Sequence, residues 1–172
     1  LNLIGLIDTP DAGEIFIEKT PAPDINSSGA TQLRRSTINY IFQSLALIND
    51  LTVMKNLELG LHFLKISKDV KEDMIDNVLK VLDIYSLKGM KVFTLSGGEQ
   101  QRVAAARAII KPGNLILADE PTGSLDKKLG LQVFDNLVTL AKKHRKTIIL
   151  VTHDLSIAEK CDRMIDIKEM QS

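Results

Sequence analysis

The sequence predicts an α/β domain in which a mostly parallel sheet carries an inserted helical subdomain. Three observations lead there. Leu115 to Ala118 and Thr147 to Val151 are continuous apolar or β-branched runs, as in strands of a parallel sheet buried on both faces. Between them, Asp126 to Lys143 places Leu129, Val133, Leu137 and Leu140 on one helical face, as a crossover helix requires. Ahead of the first run, residues 45–110 read as helical segments rather than strands.

Taken in order, Leu1 to Asp8 has apolar residues at helical spacing and stops at the turn cluster Thr9 to Gly13. Glu14 to Glu18 alternates at its ends and predicts a strand. Pro21, Pro23 and Asp24 to Gly29 predict a loop, and Thr31 to Ser36 a short basic helix at most. Ile38 to Phe42 reads as a strand with Gln43 at its exit. Thr52 is placed to cap a helix from Val53 to about Lys65. Asp69 is placed to cap the next, with Val70, Met74, Ile75, Val78, Leu79 and Leu82 on one face. A third helix opens at Ser96, and Lys111 to Asn114 turns the chain into the apolar run at Leu115. After the strand ending at Val151, a short helix is expected over Leu155 to Lys160 and a last strand over Arg163 to Ile167. This gives one domain: a core of residues 1–44 and 111–172, and a helical subdomain of residues 45–110.

Composition narrows the function classes. At 44% hydrophobic, the 172 residues can bury a core. Lys+Arg and Asp+Glu number 22 each, so no net field attracts nucleic acid or an acidic membrane. The lone Cys161 leaves no intramolecular disulfide to form. No apolar run approaches a membrane span and no signal peptide is visible, so a soluble, cytoplasmic product is expected, with any membrane role acting through a partner.

Chemistry concentrates in two stretches. Asp119 and Glu120 end the first apolar run, where Pro121 and Gly123 break it. Ligands of open α/β sheets bind at the carboxyl ends of strands, and an acid pair there suits a magnesium ion and an activated water beside a phosphate chain. Taken alone, the pair reads equally as a strand followed by an acidic turn. Upstream, Leu95-Ser-Gly-Gly-Glu-Gln-Gln-Arg102 opens a helix. Ser96 and Glu99 have capping-box spacing. Gly97 and Gly98 remove side chains where a phosphate could approach the helix N-terminus.

Together, LSGGEQQR followed by LILADEPTGSLD resembles the signature and Walker B motifs of ABC-type ATPases. The resemblance covers essentially the whole chain. It implies a P-loop NTPase (RecA-like) fold with ATP and Mg²⁺ as ligands. It places Mg²⁺ on Asp119 and Gln43, and makes Glu120 the general base for the attacking water. Gln43 resembles the Q-loop glutamine and His153 the switch histidine that meets the γ-phosphate. Ser96, Gly97, Gly98, Glu99 and Gln100 would bind the nucleotide of a second subunit, with Ser124 to Asp126 as the loop packed across that dimer. The implied partners are a second cassette, head to tail, and a membrane permease that holds the protein on the inner face of the cell membrane. Without the other motifs, Gln43 reads as a solvated loop residue and His153 as a structural histidine.

Within the family, ADEPTGSLD and the EQQRVA helix are similar to the group serving macrolide, lipoprotein and antimicrobial-peptide export. Tyr40 to Val53 looks most like ATPases of bacteriocin export. One departure stands out: the phosphate loop G-x-x-x-x-G-K-S/T occurs nowhere in the 172 residues, and Leu1 sits where the helix after it should begin. Truncation before that motif is therefore expected. Weak ATP binding by the chain alone is expected too, with hydrolysis belonging to the full-length parent. The competing readings are a soluble ABC ATPase of translation or repair, and an inactive, dimerising remnant. The modest separation of Gln43 from Ser96 and the zero net charge favour a transporter subunit, and the intact acids and His153 argue against a remnant.

Overall fold

The computed structural model describes residues 1–123 and 125–167. Among these, the main sheet has three strands, β3 (Ile38–Ile41), β4 (Leu115–Asp119) and β5 (Thr147–Val151), in the order β3-β4-β5. Both pairings are parallel, with Ile38 opposite Leu115 and Asp119 opposite Val151. A small antiparallel hairpin precedes them, β1 (Phe16–Ile17) and β2 (Thr20–Pro21). Its connecting residues Glu18 and Lys19 both have positive φ (51° and 67°), the geometry of a two-residue hairpin turn. The helices are α1 (Ser28–Ser36), α2 (Val53–Gly60), α3 (Lys68–Val81), α4 (Gly97–Ile110), α5 (Lys127–Lys143) and α6 (Leu155–Ala158).

Strand alternation sorts the core into two layers. Ile116 and Ala118 face a cluster with Leu57 of α2, Leu79 of α3, Ile109 of α4 and Leu137 of α5. Leu115 and Leu117 face Leu6, Ala30 and Tyr40 on the other side. The helical segment is thus packed into the same core as the sheet. The first residues are tied down by Tyr40 Oη donating to Asn2 Oδ1 (2.8 Å) and Arg34 donating to the Leu6 carbonyl (2.8 Å).

Several expected elements differ. Leu1 to Asp8 forms turns, not an α-helix: Gly5, Leu6 and Ile7 donate to Leu1, Leu3 and Asn2, three different registers. Leu6 takes a positive φ of 54°, which interrupts any right-handed helix there. The strand at Glu14 shrinks to Phe16–Ile17; beyond it Ala22 N–H still donates to the Ile15 carbonyl (2.7 Å), with Pro21 opposite Phe16. The basic helix is longer than expected, because Ser27 accepts from Ala30 N–H and starts it at Ser28. Helix α2 has its Thr52 cap but ends at Gly60, not Lys65. Helix α3 is capped by Ser67, whose Oγ accepts from Val70 N–H at 3.3 Å. Asp69 sits in its first turn instead, where a carboxylate complements the helix dipole. Val70, expected inside, is 47% exposed. Helix α6 stops at Ala158. Arg163 to Ile167 forms no strand; Met164, Ile165 and Ile167 are exposed, and no strand pairs with them among the described residues.

Candidate functional site

The register of β4 on β5 builds the site. Asp119 lies opposite Val151, and the ladder continues one step as Glu120 N–H donates to Val151 carbonyl (3.0 Å). The chain then turns sharply: Glu120 has a φ of 45°, rare for a residue with a side chain, and Gly123 N–H returns to its carbonyl. Glu120 is thereby aimed back at the exit of β5. Its Oε1 accepts from His153 N–H (2.9 Å), and Thr152 Oγ1 lies 3.3 Å from its Oε2. The His153 Nε2 is 3.6 Å from Oε1, an ion pair whenever the imidazole is protonated. The Glu120 side chain is only 17% exposed, whereas that of His153 is 96% exposed. A sheltered carboxylate thus lies beside an open imidazole on one rim of the sheet.

A cavity of about 710 Å³ opens on this rim. Gln43, Glu120 and His153 line it, so the structure brings three of the sequence-predicted residues together. Gln101, Thr122 and Lys127 line it as well and were not singled out by the sequence. Gln101 is 4% exposed and its buried Oε1 has no hydrogen-bond partner. Asp154 also borders the cavity; hydrogen bonds from the Ser156 hydroxyl and then the Ser156 backbone hold its carboxyl below the usual range.

Asp119 is not among the lining residues. Strand alternation sends it to the Leu117 side, where its charge reaches Tyr40; burial first, and Asp119 second, push that phenol up. The signature turn also lies outside the cavity. Ser96 and Gly97 are exposed at the start of α4, and a Cβ added at Gly97 would meet nothing within 4 Å. A Cβ at Gly98, by contrast, would lie 2.8 Å from Leu125 Cδ2, so the end of that leucine would have to shift. The capping box is complete: Glu99 N–H donates to Ser96 Oγ, and Glu99 Oε2 accepts from Ser96 N–H (2.7 Å) and Ser96 Oγ (2.7 Å). These bonds, the hydroxyl's first, hold the Glu99 carboxyl below the ordinary range. Gln100 Nε2 donates to the carbonyls of Val92 and Leu95, so its amide braces the turn. Asp126 caps α5 by accepting from Leu129 N–H (3.0 Å). Ser124 lies outside the described residues.

Residues 1–123 match a family model described as ABC transporter. The chain belongs to that family. It is an ABC transporter ATP-binding protein with the P-loop NTPase fold of the ABC cassette. It is 38% identical to the ABC transporter ATP-binding protein MJ0796 of Methanocaldococcus jannaschii, over 98% of this chain and 74% of that one. It is also 38% identical to the ABC transporter ATP-binding protein YvcR of Bacillus subtilis, covering 65% of it. The macrolide export ATP-binding/permease protein MacB of Bartonella henselae is 37% identical, and this ABC chain spans 26% of its length. Among solved structures, a dimeric cassette of MJ0796 superposes with a TM-score of 0.83 at 37% identity, covering 92% of this chain and 70% of that one. A dimeric post-hydrolysis state of MJ0796 bound to ADP and Pi gives 0.82, covering 91% of this chain and 69% of that one. Among the described residues, no helix is long and apolar enough to cross a membrane.

Proposed function

We propose that this chain is the nucleotide-hydrolysing part of an ABC exporter, working as a head-to-tail pair beneath a membrane permease. The carrying observation is the shared rim, with Glu120 Oε1 3.6 Å from His153 Nε2 beside an open cavity. A water in that cavity attacks the γ-phosphorus of ATP. Glu120 takes the proton, and ADP leaves as the bond to the γ-phosphorus breaks. His153 Nε2 hydrogen-bonds a γ-phosphate oxygen. Gln43 orients the water with its amide. The Glu120 carboxylate has about four lone-pair sites, so the protein donors now on it leave room for the water.

A magnesium ion is implied by the triphosphate chemistry. Among the described residues there is no group of three or more His, Cys, Asp or Glu that could hold a metal by itself. Mg²⁺ takes one or two protein oxygens and completes its shell with phosphates and water. Gln43, on the cavity, would give the amide oxygen, and Asp119, which lies outside that cavity, would reach the ion only through water. The ion, when bound, neutralises charge on the phosphates.

The exposed start of α4, outside its own cavity, supports a role toward a second copy. Ser96, Gly97 and Gly98, with Glu99 and Gln100 shaping the turn, present N–H groups and the positive end of the helix dipole to a phosphate. Asp126 then sits in the loop facing that copy. Residues 45–110 are the helical subdomain of each cassette in this reading. Macrolide-export relatives support a lipophilic cargo; the narrower reading, a bacteriocin, rests on Tyr40 to Val53 alone.

The test is Glu120→Gln in the assembled transporter. ATP binding persists and turnover falls about 10²–10⁴-fold, the usual worth of a general base. Turnover within tenfold of wild type removes Glu120 from that role.

A further inference from the structure

We propose that Thr152 is a positioning residue for Glu120, donating its hydroxyl hydrogen to Oε2 and so fixing the plane of the carboxylate. The proposal rests on the reading of Glu120 as the base. A threonine hydroxyl has one hydrogen and two acceptor lone pairs. Asp154 N–H points into Thr152 Oγ1 at 3.1 Å and uses an acceptor site. The hydroxyl hydrogen is left for an acceptor elsewhere, and Glu120 Oε2 lies 3.3 Å away. A carboxylate can only accept, so the direction of that bond is settled by chemistry.

The consequence concerns rotation. The terminal torsion of a glutamate is soft and broad. With one donor, His153 N–H on Oε1 at 2.9 Å, the carboxylate could still swing about that contact. A second donor on the other oxygen removes the freedom. Both donors come from consecutive residues leaving β5, and β5 is laddered to β4, which carries Glu120. Thr152 is held in turn from the far side: Asp154 is the α6 cap, and its Oδ1 accepts from both Ser156 N–H (2.9 Å) and Ser156 Oγ (2.6 Å). A chain of hydrogen bonds thus runs from the α6 cap through Thr152 to Glu120. At 3.3 Å the last bond is long for two oxygens; such contacts tighten when substrate fills a site.

The competing reading is that Thr152 only closes its local turn with Asp154. The two separate in steady-state ATPase kinetics of the assembled transporter, with Thr152→Val, Thr152→Ser and Glu120→Gln side by side. Thr152→Val keeps the shape and loses the hydroxyl. Its kcat falls at least about tenfold with KM for ATP within about twofold, because a misplaced base slows chemistry and not binding. Thr152→Ser restores kcat to within about threefold of wild type. In a Glu120→Gln background, Thr152→Val leaves ATP affinity unchanged. A Thr152→Val kcat within twofold of wild type, a Thr152→Ser as slow as the valine variant, or a loss of ATP affinity in the Glu120→Gln background each overturns the proposal. Wild-type turnover in Glu120→Gln brings down the catalytic reading beneath it. A slow Glu120→Gln beside a fast Thr152→Val brings down only this inference.

Discussion

Lys146 sits between two turns and donates its ammonium to the carbonyls of Lys111 (2.7 Å) and Gly113 (2.6 Å). Burial, and then the charge of Lys111, push its amine down to about 8. In an unfolded chain the same amine titrates near 10.4. Between those values the unfolded chain binds more protons than the folded one, so stability rises with pH across the window. Lys88 works the other way: the hydrogen bonds it donates to Asp76 and then to Glu72 hold its amine up, and that contribution is lost only above the unfolded value. We expect the urea midpoint of the wild type to rise from pH 7.5 to 9.5 relative to Lys146→Met. Parallel curves for the two would mean that the amine titrates normally. Sequence could not single out this lysine, since its burial depends on Lys111 and Gly113 being folded over it. Glu120 and His153 were legible because each ends an apolar run, and parallel strands put their ends on one rim. Thr152 and Gln101 were not, because their significance is a partner, or the want of one, contributed by another element. Asp119 shows the limit of adjacency: neighbours on a strand face opposite ways, so being next to Glu120 in sequence did not bring it to the cavity.

At the scale of elements, the start of α4 was the most legible feature, since every bond of its capping box is local. The same box now makes a measurable claim. Ser96→Ala removes the side-chain cap and is expected to cost about 1 kcal/mol of stability. Chemical denaturation of the 172-residue chain reads this directly, and an unchanged midpoint would leave the box without energetic weight. The misread elements are those decided by distant residues. Arg163 to Ile167 has strand composition but no strand paired with it among the described residues. Helix α2 ends early where it meets α4: a Cβ added at Gly60 would lie 3.3 Å from Arg107 Cγ. Arg107 in turn spends its guanidinium on the carbonyls of Leu45 and Ala46, just beyond Gln43. Burial accordingly pulls the guanidinium down from its usual value.

For the whole molecule, the parallel order and the two-layer core follow from the sequence pattern, while the phosphate loop G-x-x-x-x-G-K-S/T does not occur in the 172 residues. That loop supplies several charge-assisted hydrogen bonds, each about 1.5–3 kcal/mol, and a millimolar-to-micromolar ligand is held by only about 4–8 kcal/mol in all. We therefore expect calorimetric titration of the 172-residue chain with MgATP to give an affinity weaker than about millimolar. A micromolar value would show that the rim around Glu120 and His153 holds the nucleotide without that loop.

The outer side of β5 has a bearing on how such measurements are interpreted. The strand is paired only with β4 among the described residues, and its Ile149 is 38% exposed. A row of backbone donors and acceptors flanked by aliphatic carbon is a template for any extended peptide, including one from a sibling molecule. Self-association of the isolated chain that ignores nucleotide would belong to this bare flank and not to a working pair of cassettes.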